Sequence, residues 1–311
     1  MTASGKPIVV VGSINMDLVA HTRQIPVPGQ TVIGTAFDTT PGGKGANQAV
    51  AAARLGYSVH MVGAVGEDVF GQALLDNLAK AGVDTSVVAR VSGPSGVAPI
   101  LIDENGQNCI VVVPGANAKV DAAAVDRQSA LIRSAGMVLC QLELPIATVS
   151  HLLALCAEVG VPVMLDPAPA AMLPEAVFRQ VSWFTPNETE AAFFLNEKST
   201  VEDSAKLLLE KGLNGVVLKR GSEGAYVAVA GGKAAWGESG WVKAFRVQAV
   251  DTVGAGDCFN GAFAVALLEG NDPFAAVRFA SAAAAISVTR AGAQASMPTR
   301  AEVDAFLAAH P

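Results

Sequence analysis

The sequence predicts an α/β fold built around a mostly parallel sheet, and three observations lead to that class. Short β-branched runs alternate with Ala-rich helical stretches along the 311 residues. The β-branched runs lack polar alternation, which is typical of strands buried on both faces of a parallel sheet. No Pro/Ser-rich linker, charge block or fixed-period repeat interrupts the pattern, so a single domain over residues 1–311 is predicted.

The predicted elements follow one another in regular order. The strand candidates are Ile8–Val11, Val59–Val62, Val138–Leu139, Val163–Leu165, Trp183–Thr185 and Val216–Leu218. The helix candidates are Ala46–Leu55, Gly71–Ala81, Thr148–Glu158, Ser204–Lys211 and Cys258–Leu268. A glycine follows each helix candidate within two residues, as is usual where helices stop.

Two stretches depart from this alternation because they contain no helical pattern. They run from about Leu18 to Thr40 and from about Gly96 to Val113. The second holds two β-like runs, Val97–Ile102 and Cys109–Val113, around a turn that ends in Asn-Gly, which predicts a hairpin. The two stretches can pair with each other as a small separate sheet, a natural lid.

The composition excludes several classes of protein. Hydrophobic residues make up 51% of the chain and charged residues 16%, which excludes a disordered chain. Lys plus Arg is 21 and Asp plus Glu is 28, so the net charge of −7, with no basic block, argues against nucleic acid as a partner. No apolar run approaches the ~18 residues that a membrane helix needs. The four scattered cysteines and the short polar start predict a cytoplasmic location.

Polar residues follow the apolar runs, where an open α/β sheet binds its ligands. Any single one of them, such as Asn187 or Asp166, is also what a turn or a helix N-cap would use. In a chain with 16% charged residues, however, the whole set indicates a polar cleft. The residues are Asn15, Asp17, Gln141, Glu143, Asp166, Asn187, Glu190, Lys219, Arg220 and Ser222.

Two glycine-rich segments sharpen this prediction. In Gly42–Gln48, glycines expose backbone N–H groups, and Lys44 and Asn47 supply donors for hydroxyls or an anion; the alternative is a loop with a helix start. In Asp251–Gly261, glycines open a helix whose N-terminus forms an anion site. Asp257 at that first turn is either a capping residue or the carboxylate that takes a hydroxyl proton during phosphoryl transfer.

Other nucleotide-binding motifs do not occur in the sequence. The P-loop pattern Gly-x-x-x-x-Gly-Lys-Ser/Thr is missing, and the dinucleotide fingerprint fails after Gly12 at its second glycine. The protein-kinase motifs His-Arg-Asp and Asp-Phe-Gly are missing as well. A P-loop enzyme and an NAD-dependent dehydrogenase are therefore poor interpretations.

Taken together, the motifs resemble the ribokinase family of sugar kinases, also called the PfkB group. The resemblance runs from Gly12–Asp17 to Gly292–Gln294 and includes Gly42–Gln48, Asn187–Glu190 and Asp251–Gly261. It implies a three-layer α/β/α fold with a mostly parallel central sheet. It also implies a small β lid, formed from about residues 13–42 and 96–113, that often makes a homodimer contact.

The resemblance further implies an activity, the ATP-dependent phosphorylation of D-ribose at its 5-hydroxyl. Asp257 matches the catalytic base, and Gly254, Ala255 and Gly256 match the anion hole. The sugar site would comprise Asn15, Asp17, Gly42, Gly43, Lys44, Gly45, Asn47, Glu143 and Asp257. Asn187 and Glu190 match a motif that places Mg²⁺ and phosphates.

The remaining matches concern ATP and a monovalent cation, usually K⁺. Nucleotide contacts are implied for Lys219, Arg220, Gly221, Ser222, Glu223, Gly224, Gly256 and Ser281. The cation loop, in part through backbone carbonyls, would use Asp251, Val253, Ser287, Arg290, Gly292 and Ser296.

Some positions depart from the family pattern. Cys258 stands where the family often carries Thr or Ser, and Lys219 stands where it often carries Thr. Met16 lies between the two residues matched to sugar binding, and the segment Ser95–Pro99 resembles relatives that act on deoxyribose as much as relatives that act on ribose. Deoxyribose, a nucleoside or another sugar is therefore the alternative acceptor. From another class of protein, the alternative is a non-catalytic sugar-binding regulator.

Overall fold

The computed structural model describes residues 5–196, 199–231 and 238–311. Its strands are β1 (Ile8–Val11), β2 (Asn15–Thr22), β3 (Gly34–Gly42), β4 (Val59–Val62), β5 (Ala64–Gly66), β6 (Ala89–Val91), β7 (Gly96–Ile102), β8 (Asn108–Ile110), β9 (Met137–Gln141), β10 (Val163–Asp166), β11 (Trp183–Phe184), β12 (Gly215–Lys219), β13 (Ala225–Val229) and β14 (Ser239–Val242). Its helices are α1 (Lys44–Arg54), α2 (Val69–Lys80), α3 (Ala122–Arg127), α4 (Ser129–Ser134), α5 (Ile146–Val159), α6 (Glu175–Phe178), α7 (Glu188–Leu195), α8 (Val201–Glu210), α9 (Ala255–Leu268), α10 (Pro273–Ser287), α11 (Ala293–Ser296) and α12 (Arg300–Ala309).

The main sheet has eight strands in the order β14-β13-β12-β11-β10-β9-β1-β4. The strands from β12 to β4 run parallel, and β13 and β14 add antiparallel pairs at one edge. All six strands predicted from the sequence belong to the parallel part. The prediction of an α/β fold with a mostly parallel sheet is therefore confirmed.

Alternate residues of each parallel strand enter different cores, which gives the three layers. In β1, Ile8 and Val10 pack in one hydrophobic cluster with residues of α1, α9 and α10. Val9 and Val11 pack in a second cluster with residues of α5 and α8. Because both faces of these strands are buried, their sequences carry no polar alternation.

The two helix-poor stretches form a second sheet in the order β3-β2-β7-β8. β2 pairs antiparallel with β3 and parallel with β7, from Asn15↔Gly96 to His21↔Ile102. β7 and β8 form the predicted hairpin, although β8 ends at Ile110 and Val113 makes only an isolated bridge to Val97. This four-stranded sheet, called the small sheet below, begins at Asn15, earlier than the sequence pattern indicates.

Several elements are present that the sequence analysis did not predict, among them α7, α10 and the edge strands β13 and β14. α10 carries a helix-start signal, since Asp272 caps the helix and Pro273 occupies its first turn. β14 alternates between exposed and half-buried residues, as expected at the edge of a sheet. Among the helices of the described residues, none combines the length and apolar character that crossing a bilayer would require.

Candidate active site

The carboxyl ends of the parallel strands bring the predicted polar residues to one edge of the main sheet. Gln141, Asp166 and Lys219 are the last residues of β9, β10 and β12. Lys219 Nζ lies 3.2 Å from Asp166 Oδ1, and both side chains are largely buried. The sheet edge therefore carries a compensated charge pair where the sequence analysis predicted a cleft.

Asp257 lies above this edge, in the first turn of α9, and is 5% exposed. Asn47 Nδ2 donates to Asp257 Oδ2 at 2.9 Å, and Gln48 Nε2 donates to Asp257 Oδ1 at 3.1 Å. Both donors come from consecutive residues of α1. The carboxylate is thus held at both oxygens, and its orientation is fixed.

The backbone at the start of α9 is suited to an anion. Gly254 is the N-cap and has φ 73°, a left-handed conformation that favours glycine. A Cβ there would also lie 2.9 Å from Ala293 Cβ. The first N–H groups of this 14-residue helix lack helical partners and carry the positive end of its dipole. The predicted anion-hole residues Gly254, Ala255 and Gly256 therefore occupy a position that attracts negative charge.

The first glycine-rich segment carries the chain from β3 into α1. Glu143 Oε2 accepts hydrogen bonds from Ser13 Oγ at 2.5 Å, from Lys44 N at 3.2 Å and from Asn15 Nδ2 at 3.4 Å. Asn15 Oδ1 in turn accepts from Asn117 Nδ2 at 2.7 Å. These contacts bring together Asn15 and Glu143, two residues of the predicted sugar site that are 128 residues apart in sequence.

Burial and mutual repulsion perturb the carboxyl groups of the cleft. Burial raises the pKa of Asp17 to about 7, and the neighbouring Glu143 and Asp257 add to the rise. Burial raises the pKa of Asp257 to about 6, against the opposing effect of Lys44. Burial tends to lower the pKa of Lys44, but four carboxylates around it, beginning with Asp257, raise it overall. Carboxyl groups with pKa values perturbed by burial and by neighbouring charges are typical of functional sites.

A cavity of about 710 Å³ adjoins the start of α9. Its polar lining includes six of the predicted nucleotide contacts, Lys219, Gly221, Ser222, Gly224, Gly256 and Ser281. Much of the rest is apolar, including Phe245, Val247 and Val288, as a flat aromatic base requires. Arg220 and Glu223 are not among its lining residues, because their side chains pair with each other at 2.7 Å.

Asn187 and Glu190 form a capping box at the start of α7. Glu190 N donates to Asn187 Oδ1 at 2.8 Å, and Asn187 N donates to Glu190 Oε2 at 2.8 Å. Burial raises the pKa of Glu190, while Lys219 opposes the rise. Asn187 and Glu190 therefore cap α7, as the alternative interpretation predicts. The Glu190 carboxylate also lies close enough to Lys219, Asp166 and Lys44 in the cleft for their charges to affect its pKa.

The predicted cation loop consists of two segments that Asp251 joins. Its Oδ1 accepts from Val253 N at 2.9 Å, and its Oδ2 accepts from Gly292 N at 2.8 Å. The guanidinium group of Arg290 pairs with Glu302 at 2.6 Å and lies 3.5 Å from Ser296 O. Ser287 is 1% exposed. The structure thus brings these loops together, with the Arg290 side chain committed to another partner.

Four further residues support the site without having been assigned a role from the sequence. Gln48 bridges Asp257 and Asp166, and Gln294 Nε2 donates to Asn47 Oδ1 at 3.0 Å. Ser13 and Asn117 orient Glu143 and Asn15. Ser13, Gln48 and Gln294 lie inside the segments that carry the family resemblance, and this position was the available signal; Asn117 lies outside them.

Comparisons with known proteins agree with this fold. The model of the pfkB family carbohydrate kinases matches residues 6–300. A ribokinase from Bacillus subtilis is 44% identical over 96% of this chain and 99% of its own. A deoxyribokinase from Salmonella typhi is 37% identical over 96% and 98%. The crystal structure of a ribokinase from Thermotoga maritima, 41% identical, covers 97% of this chain and 99% of its own with a TM-score of 0.89.

The chain belongs to the pfkB family of carbohydrate kinases. The predicted family resemblance is confirmed, and so is the expectation of an ATP-dependent sugar kinase. Within the family the chain is similar to ribokinases. One from Arabidopsis thaliana, whose structure is complexed with ribose and ATP, is 34% identical with a TM-score of 0.89 over 97% of this chain and 99% of its own.

The ionisation of Asp17 has a measurable effect on stability. The pKa of Asp17 is raised from 3.8 to about 7 in the folded protein, so the folded state favours the protonated carboxyl group. The contribution of this group to the free energy of unfolding is therefore fully present below pH 3.8 and is lost as the pH rises through 7. Asp17→Asn removes this cost, so we expect the variant to be more stable than the parent at pH 8 by on the order of 2 kcal/mol and nearly equal at pH 4. Urea unfolding at both pH values measures the difference.

Glu104→Gln is the matched control, because Glu104 is an exposed carboxylate in the hairpin turn of the same small sheet. It should leave the pH dependence unchanged. An Asp17→Asn variant whose stability parallels that of the parent from pH 4 to pH 8 would show that this carboxyl group ionises freely in the folded protein.

Proposed function

We propose that this kinase transfers the γ-phosphoryl group of ATP to the 5-hydroxyl of D-ribose, with Asp257 as the general base. One observation carries the proposal: a buried carboxylate, oriented at both oxygens, lies at the helix N-terminus that borders the large cavity. A base beside an anion site is what phosphoryl transfer to an alcohol requires.

In the proposed step, the sugar hydroxyl attacks the γ-phosphorus of ATP and its proton passes to Asp257. A bond forms between the sugar oxygen and phosphorus, the bond from phosphorus to the β–γ bridging oxygen breaks, and ADP leaves. The N–H groups of Gly254, Ala255 and Gly256 stabilise the charge on the transferred group. A general base typically contributes about 10²–10⁴-fold to such a rate.

Ribose is the proposed acceptor because the cleft supplies many partners for hydroxyl groups. Asn15, Asp17, Asn47 and Glu143 offer amide and carboxylate groups, and Lys44 offers an ammonium group, beside the backbone of Gly42, Gly43 and Gly45. A substrate that lacks one of the hydroxyl groups leaves a buried polar group without a partner, so the site discriminates strongly against it. The similarity to ribokinases supports the same acceptor.

The small sheet is proposed to act as a lid. β2 carries Asn15 and Asp17, and β3 leads directly into Gly43 and α1, so a movement of this sheet would open or close the sugar site. Closure would exclude water, which would otherwise accept the phosphoryl group. On the ATP side, Lys219, Gly221, Ser222, Gly224, Gly256 and Ser281 would line the nucleotide site.

Two metal ions belong to the proposal. The oxygen donors of Asn187 and Glu190 suit Mg²⁺, which when bound would neutralise phosphate charge. The carboxylate of Asp251, with carbonyl and hydroxyl oxygens of Val253, Ser287, Arg290, Gly292 and Ser296, forms an all-oxygen donor set that suits K⁺. That ion would supply positive charge next to the start of α9.

A homodimer through the small sheet and a cytoplasmic location remain part of the proposal. Large apolar side chains stand exposed in or beside this sheet, including Ile33 at 87%, Phe37 at 63% and Val111 at 57%. A second copy that covered them would bury apolar area that is otherwise in contact with water.

A panel of acceptors tests the function directly. With ATP, Mg²⁺ and K⁺, we expect kcat/KM for ribose to exceed that for deoxyribose by at least tenfold, because a missing hydroxyl leaves buried polar groups without a partner. Coupled measurement of ADP gives both values. Faster turnover of deoxyribose or of a nucleoside would favour the alternative acceptor, which the deoxyribokinase similarity supports. If ATP were not consumed with any sugar of the panel, a non-catalytic sugar-binding regulator would be favoured.

Replacing the base tests the mechanism. Asp257→Asn should lower kcat by about 10²–10⁴-fold while ribose binding, measured by calorimetry, changes little. In the parent enzyme kcat should fall with decreasing pH and reach half its plateau near pH 6, because the pKa of Asp257 is about 6 and the base must be ionised. Near-normal turnover of the variant would remove Asp257 from this role.

The cation loop predicts an ion dependence. Turnover in buffers with K⁺ should exceed that in buffers with only Na⁺, because the loop that binds the ion is continuous with the start of α9. Asp251→Ala should weaken this dependence and lower the plateau rate, since Asp251 joins both segments. Equal rates in the two buffers would contradict the cation site.

A further inference from the structure

The pair formed by Asp166 and Lys219 stands at the junction of the nucleotide cavity and the base. Lys219 lines the cavity, and its Nζ lies 3.5 Å from the point that a Cβ on Gly256 would occupy. The side chains of Lys219 and Asp166 are 16% and 4% exposed. A buried ion pair with this placement faces both the base and any phosphate bound at the start of α9.

A single amide connects this pair to Asp257. Gln48 Nε2 donates to Asp166 Oδ2 at 3.0 Å and to Asp257 Oδ1 at 3.1 Å. Gln48 Oε1 accepts from Gln141 Nε2 at 2.8 Å, which fixes the amide with its nitrogen toward the two carboxylates. Any change in the charge of Asp166 therefore acts on Asp257 at short range.

The charged groups around Asp257 are mostly acidic, so a further carboxylate without a cationic partner would be unfavourable there. Besides Asp166 on β10 and Lys219 on β12, the charged groups are Lys44 on α1, Asp17 on β2, Glu143 after β9 and Glu190 on α7. The acids outnumber the two lysines, and ATP would add further negative charge. Without Lys219, Asp166 would repel both the ionised base and the phosphates.

We propose that Lys219 serves this site by cancelling the charge of Asp166, not by holding phosphate, and that Asp166 and Gln48 are positioning residues for the base. The inference rests on the proposed function, because it concerns the ionisation of the proposed base. Its physical basis is the asymmetry of buried ion pairs: removal of one partner is costly, whereas neutral replacement of both often is not.

A double-mutant cycle of Lys219→Thr, Asp166→Asn and the combined variant tests the proposal. Lys219→Thr should lower kcat by about 100-fold, because Asp166 then repels the phosphates as well as the base. It should also move the acid limb of the pH profile up by about one unit or more, because Asp166 then opposes ionisation of Asp257. Asp166→Asn should move the limb down. The double variant should return the limb to the parent position and recover kcat to within about tenfold of the parent.

Gln48→Leu separates positioning from binding. It removes the donor that Asp257 and Asp166 share, so kcat should fall and the acid limb should rise while KM for the sugar changes little. Lys211→Thr is the control for the lysine substitution, because Lys211 pairs with Glu175 at 3.7 Å on the surface and should leave the profile unchanged.

Two outcomes would overturn the inference. A double variant no more active than Lys219→Thr would show that phosphate needs the ammonium group itself, and an acid limb that stays fixed in all variants would show that the pair does not affect the base.

Thermal unfolding gives a readout independent of turnover: each single variant should lower the Tm by several degrees, and the double variant should regain most of it. If the parent enzyme phosphorylated no sugar, the proposed function would fail while this thermal cycle would still report the pairing.

Discussion

The structure depends on one constraint: the carboxylate of Asp257 is held between the N-termini of α1 and α9, where it is almost fully buried. Asn47 and Gln48 at the start of α1 each hold one oxygen of Asp257 at the start of α9. The two helices must approach closely for this, and Gly261 permits it, since a Cβ there would lie 2.7 Å from Ala51 Cβ and 2.8 Å from Gln48 O. The small residues of these helices therefore serve the geometry of the site.

The same constraint explains the electrostatics of the cleft. Burial disfavours the ionised forms of Asp17 and Asp257, so the folded protein carries acids that it would hold more easily when protonated. At Asp257, Lys44 offsets part of this cost, and the side-chain amides of Asn47 and Gln48 offset a further part. Such an arrangement lowers stability at neutral pH, but it would give the proposed base Asp257 a pKa of about 6, close to the neutral range in which general base catalysis is efficient.

Sequence reasoning reached those features that are local in the chain. The buried strands, the hairpin and the helix start at Asp257 follow from periodicity and turn chemistry over a few residues. The pairing of Asp166 with Lys219 does not follow from such local patterns. The two residues are 53 positions apart in sequence, and only the register of β10, β11 and β12 brings them together. The sequence likewise did not predict that the Arg220 side chain pairs with Glu188 and Glu223. Neighbouring residues at the end of a strand point to opposite sides, so Lys219 and Arg220 cannot both face the cleft.

A crystal structure with ribose and a non-hydrolysable ATP analogue tests the central claim most directly. The proposed mechanism predicts that the 5-hydroxyl lies within hydrogen-bond distance of a carboxylate oxygen of Asp257, that the Asn47 and Gln48 contacts are retained, and that the terminal phosphate lies at the N–H groups of Gly254–Gly256. A complex in which the 5-hydroxyl lies beyond the reach of Asp257, and contacts another carboxylate such as Asp17 or Glu143 instead, would contradict it.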